Sequence, residues 1–419
     1  MHPMRLGRLL TGLACLNACL AAPSAWHDWT TQPRTVSLST DGVDWHGEEA
    51  SAKVVGTTGG REMHLLPALL SSDEIVALHE CASKCDAFDA AEPDTVDKEA
   101  TFQVNVLEDG IPTAAGAELS ALLSPIIEER LLPYVRAKFD CPDACLGDAL
   151  LRRYRPGERT ALNLHYDIQA FATAIIPLSF QDQGDATVDA KRAAPSPPPP
   201  TVASSLRSLS CYTGGLFVQG GASRASRRLV RFSAPGDVLV HQFDLMHGVE
   251  IEGESSTRLA LAIWFYDSPR SRTLGVAPWV SRAAHAGNPD AQFLLATFCA
   301  QGRFGNPRDD DAAERWLRSG AAQGHAVSQL GLARHLLGQG DEQQAASSFQ
   351  QAAEQGHAEA QYALALCYLD GMGVTRSAAD AERWFAEAAE QGGDVGAAAA
   401  LELEALGSRH EASGDMDGE

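Results

Sequence analysis

Three side chains of the kind that bind metal ions lie in the middle of the chain. His165 and Asp167 are separated by one residue, and His247 follows much later in the sequence. Because residues i and i+2 of an extended segment point to the same face, the first two side chains can reach one ion. Two imidazoles and one carboxylate on one face of a ferrous ion leave its other face open for chemistry. The pattern therefore predicts an Fe(II) centre built from His165, Asp167 and His247.

A basic residue follows soon after this set. Arg258 lies a short distance beyond His247 and opens an apolar segment. In a strand, Arg258, Ala260 and Ala262 point to the same side. If that side is the interior, the guanidinium needs an anionic partner, and the two alanines leave space for a small dicarboxylate. An exposed arginine at the start of a strand is the alternative interpretation.

His241 is a second candidate for the distal metal ligand. It ends the apolar run that follows the Gly236-Asp237 turn, and it lies farther from Arg258 than His247 does. Its position inside an apolar strand favours a core histidine or one that supports the ligands. The prediction therefore gives the ligand role to His247, since neutral imidazole is a common metal ligand.

Composition limits the classes of partner. The chain has 419 residues, 45% of them hydrophobic, and a formal net charge of −22. This length allows two domains with sizeable cores. A field of this sign repels phosphate backbones, so nucleic acid is not an expected partner, and attraction to an anionic membrane surface is weakened as well.

The start of the chain, positions 1–25, has the pattern of a targeting segment. Arg5 and Arg8 form a basic start, positions 9–22 are mostly apolar, and small side chains near Ala25 offer cleavage sites. This pattern predicts a secretory signal and the endoplasmic reticulum lumen. An organelle transit peptide, an uncleaved leader and a cytoplasmic protein are the alternatives. No other run is long and apolar enough for an integral membrane span.

Nine cysteines are present, and two of them fall within the leader. Four others form two pairs with i, i+4 spacing, Cys81 with Cys85 and Cys141 with Cys145. In the secretory pathway such pairs favour disulfides, and zinc binding is the alternative.

The remaining sequence predicts a folded domain over residues 62–268, after an irregular segment at 26–61. A helix is expected after the S-x-x-E capping box of Ser71 and Glu74, and a second helix from Ala117 to Phe139. Short apolar segments with glycine turns then predict a sandwich or jelly roll. The predicted strands are Ala149–Tyr154, Phe171–Phe180, Gly215–Gln219, Asp237–Phe243 and Arg258–Phe265.

A biased segment interrupts the predicted strands. Residues 181–210 are rich in Asp, Ala, Ser and Pro and include a serine followed by four prolines, Ser196–Pro200. A proline run cannot pair as a central strand, so we expect a disordered insertion. The segment also resembles hydroxyproline-rich motifs, so modification of this segment by the chain itself is an alternative to a flexible loop.

The C-terminal third repeats itself. Ala-Ala…Gly motifs recur with their glycines at Gly287, Gly324, Gly356 and Gly392. A period in the thirties with fixed small and aromatic positions indicates paired helices stacked as a solenoid. This region, residues 283–405, resembles Sel-like repeats, relatives of the tetratricopeptide family. Residues 406–419 are polar and acidic, and a disordered tail is expected.

Residues 62–268 resemble the prolyl 4-hydroxylase-like branch of the Fe(II)/2-oxoglutarate dioxygenases. The resemblance rests on Tyr154-Arg155-Pro156-Gly157-Glu158, His165-Tyr166-Asp167, Gly214-Gly215-Leu216-Phe217, Gly236-Asp237-Val238, His247 and Arg258. It implies an α+β domain whose double-stranded β-helix, or jelly roll, is supported by helices and followed by the all-α solenoid. This sequence departs from the collagen-type enzymes at two points. Arg258 stands where they often carry lysine, and the proline-rich insertion separates strands that are usually closer.

The same resemblance implies roles for the site residues and the cofactors. Fe(II) is bound by His165, Asp167 and His247, and 2-oxoglutarate by Arg258, with Tyr154 and Thr173 in the same pocket. Dioxygen is the second cosubstrate, and ascorbate is the expected reductant.

The expected activity is hydroxylation of a protein side chain, with peptidyl proline as the leading substrate. The helical repeats would then recruit a protein partner. The alternatives are a dioxygenase that acts on a small molecule or lipid, and a repeat-based adaptor whose oxygenase domain is inactive.

Overall fold

A computed structural model gives the fold of the chain in two compact units. One unit holds the β-sheets, and the other holds the helices from Pro278 onward. The predicted leader and the proline-rich insertion lie outside the described residues. The structure describes residues 44–45, 50–51, 53–58, 61–85, 88, 92–93, 100–155, 161–178, 216–230, 232, 234–250 and 258–414.

The sheet unit is built from short strands, as the glycine-punctuated sequence predicts. Each of the five predicted strands is present within a few residues of its expected bounds. In chain order the strands are β1 Asp44–Trp45, β2 Ala50–Ser51, β3 Lys53–Thr58, β4 Arg61–Leu66, β5 Glu92–Pro93, β6 Ala100–Glu108, β7 Ile111–Pro112, β8 Cys145–Tyr154, β9 Ala161–His165, β10 Ala172–Pro177, β11 Leu216–Gln219, β12 Arg227–Leu229, β13 Val238–Gln242, β14 His247–Glu250 and β15 Arg258–Tyr266.

Strands β8 to β15 are divided between two antiparallel sheets. Within the described residues, the larger sheet has the order β3-β4-β13-β10-β15-β8-β6-β5, with β7 beside β6. The smaller sheet has the order β12-β11-β14-β9. The chain therefore crosses repeatedly from one sheet to the other, which brings side chains from both sheets to one interior. A buried cluster that draws Tyr154, Ile175 and Leu239 from the larger sheet and Leu162 and Val249 from the smaller one fills that interior.

The turn into β13 shows how local sequence sets the strand order. Gly236 has φ of +93°, and a Cβ there would lie 2.3 Å from the carbonyl oxygen of Leu70. Only glycine fits this approach. The carboxylate of Asp237 then accepts hydrogen bonds from the backbone N–H groups of Ala68 and Ala234. The Gly-Asp pair in the sequence thus ties the start of β13 to the end of β4.

Helices pack beside the larger sheet. Helix α1, Ser72–Ser83, starts at the predicted capping box, in which Ser71 and Glu74 bond reciprocally. The predicted helix 117–139 is divided into α2, Ala117–Ile126, a π-helical turn, Ile127–Leu131, and α3, Leu132–Lys138. Proline lacks the N–H that continues a helix, which accounts for the division next to Pro125 and Pro133.

The prediction of an irregular segment over residues 26–61 is wrong for its last part. Strand β3 pairs with β4 and extends the larger sheet at its edge. Its sequence, Lys-Val-Val-Gly-Thr-Thr, is half polar and does not have the apolar character by which the central strands were predicted.

The second unit is helical, as the repeats predict. Helix α4, Pro269–Leu274, precedes it, and its helices are α5 Pro278–His285, α6 Pro289–Gln301, α7 Asp310–Ala322, α8 Ala326–Gln339, α9 Glu342–Glu354, α10 Ala358–Asp370, α11 Ala378–Glu390 and α12 Gly393–Gly414. The side chains of Gln292, Gln329 and Gln361 each donate a hydrogen bond to a backbone carbonyl of the preceding helix, at the same sequence separation. This recurring bond joins consecutive helices at the same point in each repeat.

The prediction that residues 406–419 are disordered is wrong up to residue 414, because helix α12 continues to Gly414. Its Ala-rich stretch over residues 397–400 has high helix propensity, and Leu406 packs into the helical core. Among the described residues, no helix combines the length and apolar character needed to cross a bilayer.

Candidate metal centre

The proposed metal ligands lie together where the two sheets meet. His165 is the last residue of β9 and His247 the first residue of β14, and the two are direct cross-strand partners. Asp167 follows β9 closely, in the turn that leads to β10. The H-x-D motif therefore bridges the two sheets, while strand pairing brings His247 to it from a distant part of the sequence.

The three side chains converge on one point. The Nε2 atom of His165 lies 3.7 Å from one carboxylate oxygen of Asp167, and Nε2 of His247 lies 3.6 Å from the other. One ligand atom from each residue falls within 4.8 Å of the other two. A search of the described residues for histidine, cysteine and carboxylate side chains close enough to hold one metal ion finds these three.

Backbone carbonyls set the tautomer of both histidines. Nδ1 of His165 donates to the carbonyl of Asn163 at 2.9 Å, and Nδ1 of His247 donates to that of Leu245 at 3.0 Å. A carbonyl oxygen only accepts, so the proton of a neutral ring lies on Nδ1. Each Nε2 then directs a lone pair toward Asp167, which is the form that binds a metal ion.

The electrostatics of the site also fit a cation. Burial, followed by the nearby charge of His247, lowers the pKa of His165 to about 3, so its ring is neutral at physiological pH. Burial alone would raise the pKa of Asp167, but His247, His165, His241 and the Thr173 hydroxyl together lower it to about 2. The neutral imidazole of His165 beside a buried carboxylate anion belongs to a donor set that a divalent cation satisfies.

Thr173 contacts the metal-ligand set directly. Its hydroxyl donates to Oδ2 of Asp167 at 2.7 Å, and both side chains are buried. The resemblance placed Thr173 in the cosubstrate pocket, and the structure adds a specific partner. The hydroxyl holds the carboxylate in one orientation, as partners of metal-ligating carboxylates commonly do.

Arg258 points to the interior, so the exposed alternative is wrong. Only 2% of its surface is exposed, and its guanidinium carbon lies 5.3 Å from the centre of the Tyr154 ring. The two residues are register partners on β15 and β8. A buried guanidinium at the start of β15, with Ala260 on the same face, is suited to bind a carboxylate.

His241 also lies at the centre, which the sequence did not establish. Its Nε2 is 3.8 Å from Oδ2 of Asp167, and its ring centre is 4.6 Å from that of His247. Strand register places His241 directly opposite Thr173. The signal that could have located it is parity, because His241 and the interior residue Leu239 are two positions apart.

The cysteines that the structure describes take no part in the site. All six that the structure describes, including Cys81, Cys85, Cys141 and Cys145, carry free thiols. The disulfides favoured by their spacing are absent among the described residues, and none of these cysteines joins the group that could hold a metal ion. Spacing of i, i+4 indicates a shared face but does not bring two sulfur atoms to bonding distance.

Comparison with known families identifies the helical region. Residues 289–325, 326–357 and 358–393 match the Sel1 repeat model, so the chain carries three Sel1 repeats. The matched lengths follow the glycine spacing of the sequence.

One curated relative and several solved structures are similar to parts of the chain. An uncharacterized protein of Neisseria meningitidis serogroup B, NMB1327, is 38% identical over 128 residues, which are 29% of this chain and 25% of the relative. The chain thus spans about a quarter of that relative's length. A Sel1 repeat protein from Oxalobacter formigenes is 34% identical over 30% of this chain and 96% of that chain, with a TM-score of 0.28.

The similar solved structures also include oxygenases. A 2OG-Fe(II) oxygenase family oxidoreductase from Burkholderia pseudomallei covers 49% of this chain and 85% of that chain at 14% identity, with a TM-score of 0.32. A prolyl-4-hydroxylase from Pseudomonas putida covers 49% and 92% at 14% identity, also with a TM-score of 0.32.

Proposed function

We propose that this chain is an Fe(II)- and 2-oxoglutarate-dependent dioxygenase that hydroxylates a protein side chain, with peptidyl proline as the leading substrate. The observation that carries the proposal is the convergence of two Nε2 lone pairs and one carboxylate on a single buried point. A set of two histidines and one carboxylate with open positions is typical of non-haem Fe(II) oxygenases.

The strand order supports the fold that the resemblance implies. Strands β8 to β15 are shared between the sheets in the orders β13-β10-β15-β8 and β12-β11-β14-β9. We interpret this pattern as the double-stranded β-helix, or jelly roll, in which eight antiparallel strands enclose one interior. The oxygenase domain then spans residues 62–268, with β3 as an additional edge strand.

Each site residue has a distinct task in the proposed enzyme. His165, Asp167 and His247 hold the ion, which supplies the oxidative chemistry when bound. Arg258 and Tyr154 bind and orient the distal carboxylate of 2-oxoglutarate. The charges of the ion, Asp167, Arg258 and the dianionic cosubstrate sum to zero, which reduces the cost of assembling them in a buried pocket.

The Sel1 repeats support the proposal that the chain binds a protein partner. Stacked helix pairs expose an extended surface that commonly binds proteins or peptides. We propose that this surface recruits the protein whose side chain is oxidised, or a partner that delivers it.

Turnover of 2-oxoglutarate tests the proposal. Purified chain is loaded with Fe(II) without oxygen, then given 2-oxoglutarate, ascorbate and air, with and without a panel of proline-containing peptides. A peptide copied from residues 192–203 belongs in the panel and tests self-modification. We expect succinate release, and a mass increase of one oxygen atom in at least one peptide.

Two variants test whether succinate release depends on the proposed metal ligands. Asp167→Ala should abolish succinate release, whereas Asp310→Ala, a surface change in the repeats, should leave it unchanged. No succinate from the unaltered chain would refute the enzyme and favour the adaptor alternative. Succinate without oxygen insertion into any peptide would favour a small molecule or lipid as substrate.

A further inference from the structure

A short segment of the chain lies against the end of the third Sel1 repeat. Residues 219–227 belong to the helical unit, and Ala222 packs against the helical core. The Ser223 hydroxyl and the backbone N–H of Arg224 both donate to Oε1 of Gln391, each at 3.1 Å. The guanidinium of Arg224 donates to the backbone carbonyl of Gln391 at 3.4 Å, at the C-terminal end of helix α11, where a positive charge is favourable.

Two glycines of the repeats make room for this segment. A Cβ added at Gly356 would lie 2.9 Å from Cβ of Ser223, and one added at Gly392 would lie 3.1 Å from Nη1 of Arg224. The corresponding glycine of the first repeat, Gly324, also has a left-handed backbone, but a Cβ there would meet nothing within 4 Å. The close approach at Gly356 therefore restricts the serine position of the segment to a small side chain.

Each of the first two repeats contains a bond between two glutamine side chains. Gln323, which precedes the glycine of the first repeat, donates to Oε1 of Gln292 at 2.8 Å. Gln355, which precedes the glycine of the second repeat, donates to Oε1 of Gln329 at 2.6 Å. In both pairs the acceptor is the glutamine whose amide nitrogen also donates to the preceding helix.

The third repeat has the same two glutamines, Gln361 and Gln391, in a different arrangement. The side chain of Gln391 bonds to the segment, and Oε1 of Gln361 has no hydrogen-bond partner among the described residues, although Gln361 is only 2% exposed. A buried acceptor without a partner costs stability. Release of the segment would let Gln391 make the bond that its counterparts make, so two sets of partners compete for one amide.

We propose that the end of the third Sel1 repeat is a binding site for a protein segment with a small residue, serine and arginine in succession. The chain's own segment Ala222–Arg224, which is only partly buried, fills this site until a partner's segment replaces it. The proposal rests on the proposed role of the repeats in binding a protein, and it is independent of the iron chemistry. Any peptide of this sequence offers the hydroxyl, the backbone N–H and the guanidinium that the site binds.

Peptide binding to the full chain tests the proposal. The probe is a fluorescent peptide copied from residues 220–228, and fluorescence anisotropy measures its dissociation constant. In the unaltered chain the tethered segment competes at a high effective concentration. In Ser223→Leu the chain's own segment loses its hydroxyl and has a larger side chain against Gly356, so the site is free. We expect this variant to bind the peptide about tenfold or more tightly than the unaltered chain does.

A second peptide controls for attraction to the acidic chain. It has leucine in place of the serine that corresponds to Ser223, and its charge is the same as that of the first peptide. Because non-specific attraction depends on charge and not on the hydroxyl, it would act equally on both peptides. We expect the leucine peptide to bind Ser223→Leu about tenfold or more weakly than the serine peptide does.

Variants of the repeat glutamines locate the site. Gln391→Leu, combined with Ser223→Leu, should weaken binding of the serine peptide about tenfold or more, because the acceptor of two hydrogen bonds is lost. Gln391→Glu retains an acceptor and should keep the affinity within about threefold in the same background. Gln323→Leu is the matched control, because it removes the corresponding glutamine of the first repeat, and it should leave the affinity unchanged.

Tryptic cleavage after Arg224 detects the bound segment in the chain itself. The backbone N–H and the guanidinium of Arg224 are both bonded to Gln391, so cleavage there requires release of the segment. We expect Gln391→Leu, with Ser223 retained, to increase the cleavage rate about fivefold or more. Gln391→Glu and Gln323→Leu should leave the rate close to that of the unaltered chain, which separates loss of the acceptor from a folding defect.

The outcomes separate this site from the proposed oxygenase. Equal binding of the serine and leucine peptides to Ser223→Leu would overturn the site, whether or not the chain releases succinate. Protection of Arg224 without any peptide binding would also overturn it, because the contact would then be structural only. If the peptides bind as expected and the unaltered chain releases no succinate, the site stands and the oxygenase is refuted.

Discussion

Thr173 shows how much of the site depends on one hydroxyl group. Its Oγ1 donates to the carboxylate of Asp167, one of the three proposed metal ligands. Sequence resemblance could place a polar residue near the cosubstrate, but the partner of that residue depends on side-chain positions that only the folded chain defines.

Thr173→Val should weaken metal binding about 10- to 100-fold, because the carboxylate loses the partner that orients it. Valine has nearly the same shape, so the change removes one hydrogen bond without leaving a cavity. Competition with a coloured chelator measures the Fe(II) or Co(II) affinity. Thr297→Val is the control, since the Thr297 hydroxyl bonds to a helix carbonyl, that of Phe293. Equal affinities for Thr173→Val and the unaltered chain would contradict the role.

At the scale of elements, short apolar segments bounded by turn residues predicted the central strands, which are buried on both faces. Parity grouped Arg258 with the small residues Ala260 and Ala262, and the structure decided that this face points inward. Apolar character did not reveal β3 as a strand, because β3 is half polar. It also could not reveal the irregularity in register between His247 and Val249, which depends on how β14 meets β9.

Gly248 lies at this irregularity, and its lack of a side chain lets three strands approach. A Cβ there would lie 2.7 Å from the Phe217 ring on β11 and 2.9 Å from the carbonyl oxygen of Leu162 on β9. Gly248→Ala should therefore cost about 1–3 kcal/mol of stability and also weaken metal binding, since it separates His247 from His165. Urea unfolding and Co(II) titration measure the two effects.

Gly338→Ala is the control for Gly248→Ala. Gly338 lies inside helix α8, where an added Cβ meets nothing within 4 Å. The same substitution should stabilise that helix by up to about 1 kcal/mol and leave the metal affinity unchanged. Similar effects from both glycine variants would show that crowding around Gly248 is not the cause.

For the whole molecule, buried neutral histidines make stability depend on pH. Burial is the largest cause that lowers the pKa of His64 and of His241 to about 4, and that of His165 to about 3. In the unfolded chain each titrates near its ordinary value of about 6.5. Between pH 6.5 and about 4, the unfolded chain therefore binds more protons, and the stability of the sheet unit falls as pH decreases.

The metal-free chain should lose up to about 1.4 kcal/mol per pH unit for each such histidine between pH 6.5 and 5. Urea unfolding of chelator-treated protein at several pH values measures the slope. His64→Phe should reduce that slope by roughly one histidine's share while leaving the metal centre intact. A stability that does not change over this range would show that these rings are not buried neutral in solution.

The sequence by itself determined the residue types of the candidate metal centre, the short apolar strands, the capped first helix and the repeat length of the solenoid. These are local properties, set by spacing, polarity and backbone preference. Tertiary structure alone decided that His247 pairs with His165, that Thr173 bonds to Asp167, and that His241 lies beside Asp167. Each of these depends on the register of strands far apart in sequence, and a shift of one residue would turn every such side chain to the opposite face.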